Sequence, residues 1–520
     1  MAKHFISMLG TGLYEPVVYF DDIYNRKDKE WEFVQFAVID KYKEQLLEDG
    51  RITIFVTEKS NKQNYLNRTY NEREAESAGR WQSNEKDKVK AGAVKVGFGE
   101  QFANVFPELV DKLEVVKIPN GENEEEIWEI FNALYNKIGD GEEILFDVTH
   151  AFRSIPIIMM SVMNYIKVMK SCVLGNISYG AFEVAKKEAD KKCVQLVNLT
   201  YLDEILDWSN AANEFIKYGN SSMMKSVYGL KFKSLPNEEK KNWKCVQNVV
   251  DAISGLSNAI LTSRGNHEFV DERTKSIKGA YNHLVKVSSD ESLQKIQQIK
   301  PLFPLFEKTR DAFSIFNQDE GYQLGLAVVE WSIRNNMIQQ GYTALEESLK
   351  TFMCHYYNLN QLDKFMRENI CSSGAYYLSK NYKVWSDKRK TGSDKSDFEE
   401  ELRAEIIKGI RANPEKSWVA PDSPKEAVNK ICEIIATFPF EFANQIQKIK
   451  DERNDINHFG MRENVLPSNK FFEKLDAHNK KVTEYIQCMN QDKENIFRNA
   501  ENVYGLVEKS NSEPSKKVFL

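Results

Sequence analysis

The feature that most restricts the fold of this chain is a change of period near residue 205. Before it, short apolar runs read as strands at His4–Leu9, Arg51–Thr57, Leu113–Ile118, Glu143–Thr149, Ser171–Tyr179 and Cys193–Leu199. Helical spacing fills 33–47, 124–137 and a stretch from Ile155. Strands that alternate with helices build a mostly parallel sheet covered on both faces. Beyond residue 205 the strand signal fades, and 201–218, 243–264, 276–299, 319–356, 423–450 and 467–508 carry helical period. The expectation is an α/β Rossmann-like amino-terminal domain over 1–205 and an all-α region over 206–520. In the second part the pattern breaks between 370 and 422, which reads as an insertion with an exposed polar stretch at 386–397. Residues 71–90 are highly charged and read as a loop or an exposed helical insertion, and the 510–517 tail reads as frayed.

Composition removes several classes of function. A net charge of −6 on 520 residues argues against a surface coated for tight non-specific nucleic-acid binding, so any RNA contact must use a local groove. The cysteines at 172, 193, 245, 354, 371, 432 and 488 include no C-x-x-C pair, which implies reduced thiols and a cytoplasmic home. The start has no signal-peptide core, and the most apolar run, Ile155–Met163, is too short to cross a bilayer, so no membrane partner is expected. The histidines at 4, 150, 267, 283, 355, 458 and 478 show no metal-ligand spacing, so neither metal nor cofactor is expected.

Two stretches carry chemistry. Gly10-Thr11-Gly12 follows the first strand, where backbone N–H groups can approach a phosphate; the same residues also fit a plain tight turn. Lys59, Asn61 and Lys62 follow the second strand, again on the side where doubly wound sheets take ligands. The other stretch is 451–460. On a helix, Arg453, Asn454, Asn457 and His458 fan across about 140° of one face. Phe442, Ile446, Ile449, Ile456 and Phe459 fill the opposite arc, and Gly460 is the stop signal. His moves protons near neutral pH, Arg holds a phosphate through a planar fork, and RNA supplies its own 2′-hydroxyl nucleophile. That set suffices for metal-independent transesterification to a 2′,3′-cyclic phosphate and a 5′-hydroxyl. The alternative is a solvated polar face with His458 held by Asn454.

Arg453-Asn-Asp-Ile-Asn-His458 resembles the R-x4-H motif of HEPN ribonucleases. At the other end, Phe5-Ile-Ser-Met-Leu-Gly-Thr-Gly-Leu-Tyr14, Val56-Thr-Glu-Lys-Ser60, Ile118-Pro-Asn-Gly121, Tyr179-Gly-Ala-Phe182 and, most specifically, Asp147-Val-Thr-His-Ala-Phe-Arg-Ser-Ile-Pro156 resemble the CARF domains of type III CRISPR-associated proteins. Position 151 is Ala, where many CARF domains carry Gly. The whole chain is therefore similar to a CARF–HEPN ribonuclease, with the CARF sensor over 1–205 and a helical linker plus HEPN domain over 206–520. The resemblance implies a homodimer, possibly assembled further, whose CARF pocket binds a cyclic oligoadenylate, with cyclic tetra-adenylate the first guess and hexa-adenylate the next. It implies that this activator switches on cleavage of single-stranded RNA in antiviral defence. Gly10, Thr11 and Gly12 would contact phosphates from one wall, Thr149 and Arg153 from the other, with Lys59 and Asn61 as weaker candidates. His150 would either contact a base or ribose or cap the following helix, and Arg153 would either hold the ligand or form an ion pair. Asp147 is expected to be structural, because a carboxylate beside phosphates is unfavourable unless paired. Arg453 is assigned to the scissile phosphate, His458 to proton transfer, and Asn454 and Asn457 to orientation. A nucleotide-sensing regulatory protein with an inert HEPN domain, and a free-standing toxin-type ribonuclease, are the competing readings.

Overall fold

The computed structural model describes residues 2–26, 28–79, 90–150, 155–188, 191–265, 276–295, 300–319, 321–390, 395–414, 425–461 and 465–510. The chain divides into two compact units, Met1–Asp207 and Trp208–Leu520.

The first unit is built on an eight-stranded sheet. Its strands are β1 (Lys3–Leu9), β2 (Val18–Phe20), β3 (Gly50–Val56), β6 (Leu113–Lys117), β7 (Glu143–Asp147), β8 (Val173–Gly180), β9 (Lys186–Glu188) and β10 (Lys191–Asn198), and a separate hairpin pairs β4 (Arg68–Thr69) with β5 (Val94–Lys95). The central order is β6-β3-β1-β7-β8, all parallel. Successive side chains of β1 enter opposite layers. Phe5 and Leu9 pack with Phe33, Phe36 and Phe98, while Ile6 and Met8 pack with Ile130, Leu134 and Val162. A parallel sheet buried on both faces needs such continuous apolar strands. The expected Cys193–Leu199 strand runs antiparallel to β8, so the sheet is mixed at that edge and mostly parallel elsewhere. The expected 33–47 helix is two, Val34–Lys41 and Lys43–Asp49, separated at Tyr42. From the charged 71–90 stretch, Glu72–Gly79 is helical; residues 80–89 lie outside the described set.

The second unit is helical throughout its described residues. Its smaller core gathers Trp208, Phe215, Ile253, Leu256 and Phe313; its larger one gathers Tyr342, Leu349, Phe352, Ile434, Phe442 and Ile449. The expected 319–356 helix breaks at Asn336, whose φ is 56°, into Gly321–Arg334 and Ile338–Tyr356. These two pack so closely that a Cβ at Gly325 would fall 1.8 Å from Ser348 Oγ.

The stretch expected to be an insertion, 370–422, is largely helical among its described residues. Helices Ser372–Lys380, Tyr382–Lys390 and Lys395–Ala412 place Ala375, Leu378, Trp385, Leu402 and Ile407 in the larger core. Arg403 lies within it, donating to the Phe438 carbonyl at 3.0 Å and to the Glu399 carboxylate. Exposure at Asp387–Lys390 agrees with the polar reading there, while 391–394 and the 511–520 tail lie outside the described residues. No helix among the described residues is long and apolar enough to cross a membrane.

Candidate functional site

In the first unit the strand order reverses between β1 and β7, and open α/β sheets bind ligands in the crevice outside the carboxyl ends of such strands. The Gly10–Gly12 turn leaves β1 there, and Thr149 and His150 leave β7. The two loops touch: a Cβ on Gly10 would sit 3.1 Å from both the Cβ and the carbonyl of His150, so only a glycine fits at that approach without displacing its neighbour. No atom of the described residues lies within 4 Å of where a Cβ on Gly12 would sit.

The turn is held from below. Asn64 Nδ2 donates to the carbonyls of Gly10 at 2.8 Å and Gly12 at 2.9 Å. Lys95 Nζ donates to Asn64 Oδ1 at 2.8 Å, and Gly10 N–H donates to the Tyr14 hydroxyl at 2.8 Å. Burial pushes that hydroxyl's pKa far up, so it remains a neutral partner. Among the described residues, no protein group pairs with the N–H groups of Thr11, Gly12 and Leu13.

The β7 wall differs from expectation in one respect. The Thr149 hydroxyl is engaged, donating to Asp147 Oδ1 at 2.6 Å and accepting from Gly180 N–H at 2.8 Å. Asp147 is buried and also accepts from the Ser7 hydroxyl at 2.7 Å and from Thr149 N–H at 3.1 Å, so it ties β1 to β7. Burial raises its pKa against these bonds. His150 packs edge-on to Tyr14, ring centroids 4.4 Å apart, and its Nε2 is buried with no hydrogen-bond partner among the described residues. Burial lowers its pKa to about 4, which leaves a neutral imidazole at the crevice. Arg153 lies outside the described residues, as does any contact of the 151–154 segment. Lys59 is exposed, and Asn61 caps the short Glu58–Ser60 turn. Asn64, not either of these, reaches the glycine turn.

In the second unit the helix Phe440–Asn457 carries Arg453, Asn454 and Asn457, and His458 caps its carboxyl end. Arg453 Nε donates to Glu346 Oε2 at 2.5 Å. Glu346 is 2% exposed and shares its other oxygen with Lys350 at 3.2 Å. The two terminal nitrogens of Arg453 have no protein partner among the described residues. Asn454 is half-buried; Asn457 and His458 are exposed. His458 is not held by the Asn454 side chain; its backbone N–H donates to the Asn454 carbonyl at 3.0 Å. Phe459 departs from the expected apolar arc. It is 89% exposed with a φ of 56°, and Gly460 follows at 69°. The helix has ended by then, so its 100° spacing no longer assigns faces.

Six residues before His458, Glu452 anchors the same helix. It accepts from Tyr342 at 2.7 Å, from Lys474 at 2.8 Å and pairs with His478 at 2.8 Å. Burial alone would raise its carboxyl, but these bonds override it and hold the pKa near 2. No period or motif marks Glu346, Glu452, Asn64 or Lys95, because each acts on a residue distant in the chain. Among the described residues no cluster of His, Cys, Asp or Glu is placed to hold a metal ion.

No protein-family model matches the chain. It is 28% identical over 256 residues to CRISPR-associated protein MJ1674 of Methanocaldococcus jannaschii, an overlap of 49% of this chain and 36% of that protein. The chain thus spans little more than a third of that relative's length, and the likeness supports a CRISPR-associated relationship.

Proposed function

We propose that this CRISPR-associated chain is a metal-independent endoribonuclease of CARF–HEPN type, switched on by a cyclic oligoadenylate bound at the β1–β7 crevice and acting on single-stranded RNA as a homodimer. The observation that carries the proposal is the setting of Arg453. Its Nε is fixed to buried Glu346, its terminal nitrogens stay open to a phosphate, and His458 stands in solvent one turn on. Arg453 neutralises the scissile phosphate, and His458 exchanges the proton of the 2′-hydroxyl or of the leaving 5′-oxygen. Asn457 and Asn454 share that end of the helix and orient the phosphate. The crevice supports the sensor half of the proposal. It offers backbone N–H donors at Thr11 and Leu13, a neutral His150 beside Gly10, and a sheet order that places both loops at the switch point.

The test is cleavage of labelled single-stranded RNA in EDTA, with and without cyclic tetra- and hexa-adenylate, for wild type and His458→Ala. Activator-dependent cutting that His458→Ala abolishes is the expected result. A wild type that stays silent with both rings would favour a regulatory protein with an inert helical half, and cutting that ignores activator would favour a toxin-type enzyme.

A further inference from the structure

We propose that Asn64 and Lys95 form a lock that sets the anion-binding geometry of the Gly10–Leu13 turn without touching the ligand, and that it turns outward two donors, the N–H groups of Thr11 and Leu13. This rests on the sensor reading above.

The argument starts from peptide geometry. In a trans peptide the carbonyl and the following N–H point in opposite directions. Asn64 Nδ2 holds the Gly10 carbonyl at 2.8 Å and the Gly12 carbonyl at 2.9 Å, both directed into the protein. The N–H of Thr11 and the N–H of Leu13 must then face away from Asn64, and neither has a protein partner among the described residues. Two unpaired N–H groups aimed the same way from one turn can donate together to an anion.

A side-chain amide can in principle reverse, which would turn Oδ1 onto the two carbonyls and repel them. Lys95 prevents this, since its ammonium has donors alone and binds Oδ1 at 2.8 Å. Lys95 is 2% exposed and Asn64 1%. The nearest counter-charge is Glu32 at 3.8 Å, itself held by Gln101 at 2.7 Å. Burying an ammonium this deeply is unfavourable unless it does something an apolar side chain would not. Here it fixes one amide orientation. Asn64 lies in a π-helical turn, Asn61–Tyr65, a rare local geometry that is frequent at functional sites. Lys95 arrives from the β4–β5 hairpin, so two separate pieces of chain converge beneath the turn.

The experiment measures binding of fluorescent cyclic tetra- and hexa-adenylate to the full-length wild type, Asn64→Asp and Lys95→Met. Thermal unfolding and RNA cleavage at saturating activator are measured alongside. Asn64→Asp keeps the shape and strengthens the Lys95 contact while removing both donors to the turn. Lys95→Met keeps the packing and frees the amide to reverse. The expected result is about 10- to 100-fold weaker binding in both variants, the range seen when supporting partners of binding groups are removed. The maximal cleavage rate of both variants should be preserved, with only the half-activating concentration raised. Wild-type affinity in a folded Asn64→Asp overturns the lock alone. Loss of binding that tracks a fallen midpoint in Asn64→Asp, with Lys95→Met binding normally, also overturns it by reducing Asn64 to a stabilising residue. A wild type that binds neither ring overturns the sensor reading and the lock with it.

Discussion

At the carboxyl end of β1, Asn64, Lys95 and Tyr14 are buried and bonded beneath the Gly10–Gly12 turn, and the turn's own N–H groups are left without protein partners among the described residues. At the end of the Phe440–Asn457 helix the reverse holds: Arg453 is anchored from behind, and His458, Asn457 and Phe459 stand in solvent. The first arrangement suits recognition, because rigid N–H groups lose little freedom on binding a ligand. The second suits chemistry that waits for a partner surface to complete it. A shared device lies behind both. Glu142 pairs with His4 at 3.0 Å and with Arg51 at 2.8 Å in the first unit, as Glu452 does with His478 and Lys474 in the second. Burial would raise each carboxyl, yet hydrogen bonds hold both near 2.

The comparison breaks most visibly at His458. Because it is exposed, His458→Ala should leave the unfolding midpoint unchanged and lower activated cleavage by about 10²- to 10⁴-fold, the usual range for a lost general acid or base. A fallen midpoint would show that the solvent-facing assignment is wrong. Acid titration comes next. A folded pKa near 2 against an unfolded value of 4.5 makes the Glu452 contribution, on the order of 3 kcal/mol, complete above the unfolded value and lost as pH falls from about 4.5 toward 2. Thermal melts across that window should steepen for wild type and flatten for Glu452→Gln. Glu346→Gln should reduce activated cleavage by about 10- to 100-fold, with activator binding unchanged, because it loosens Arg453 from behind. Activator binding that falls in parallel would argue against separate roles for the two sites. The smallest effect is expected at Gly12, where an added methyl meets no atom of the described residues within 4 Å: Gly12→Ala should move stability by no more than about 0.5 kcal/mol. Its effect should fall on activator affinity, read by direct titration.

The parallel core was legible because burial on both faces forces apolar runs, and Phe5–Leu9, Ile52–Val56 and Ile144–Phe146 are such runs. The direction of β10 was not legible, since an isolated strand carries no signal of which neighbour it will pair with. The 370–422 helices escaped because their core includes Arg403, a charge that reads as surface until its carbonyl partners near 435–438 are in place. Phe459 was misassigned by extending helical spacing past the residue where the backbone turns left-handed. Asn64 and Lys95 are silent in the sequence, because nothing local reports that they meet 31 residues apart.

The single bond from Arg453 Nε to Glu346 has a stereochemical consequence. A guanidinium has an inner edge and an outer fork, so one side chain can face a fixed carboxylate and an incoming phosphate at once. An ammonium has no such division. In Arg453→Lys one point charge would have to choose between Glu346 and the substrate, and the buried carboxylate, being permanent, would win. The position therefore demands arginine for its shape, and the anchored edge dictates the side from which a phosphate can arrive.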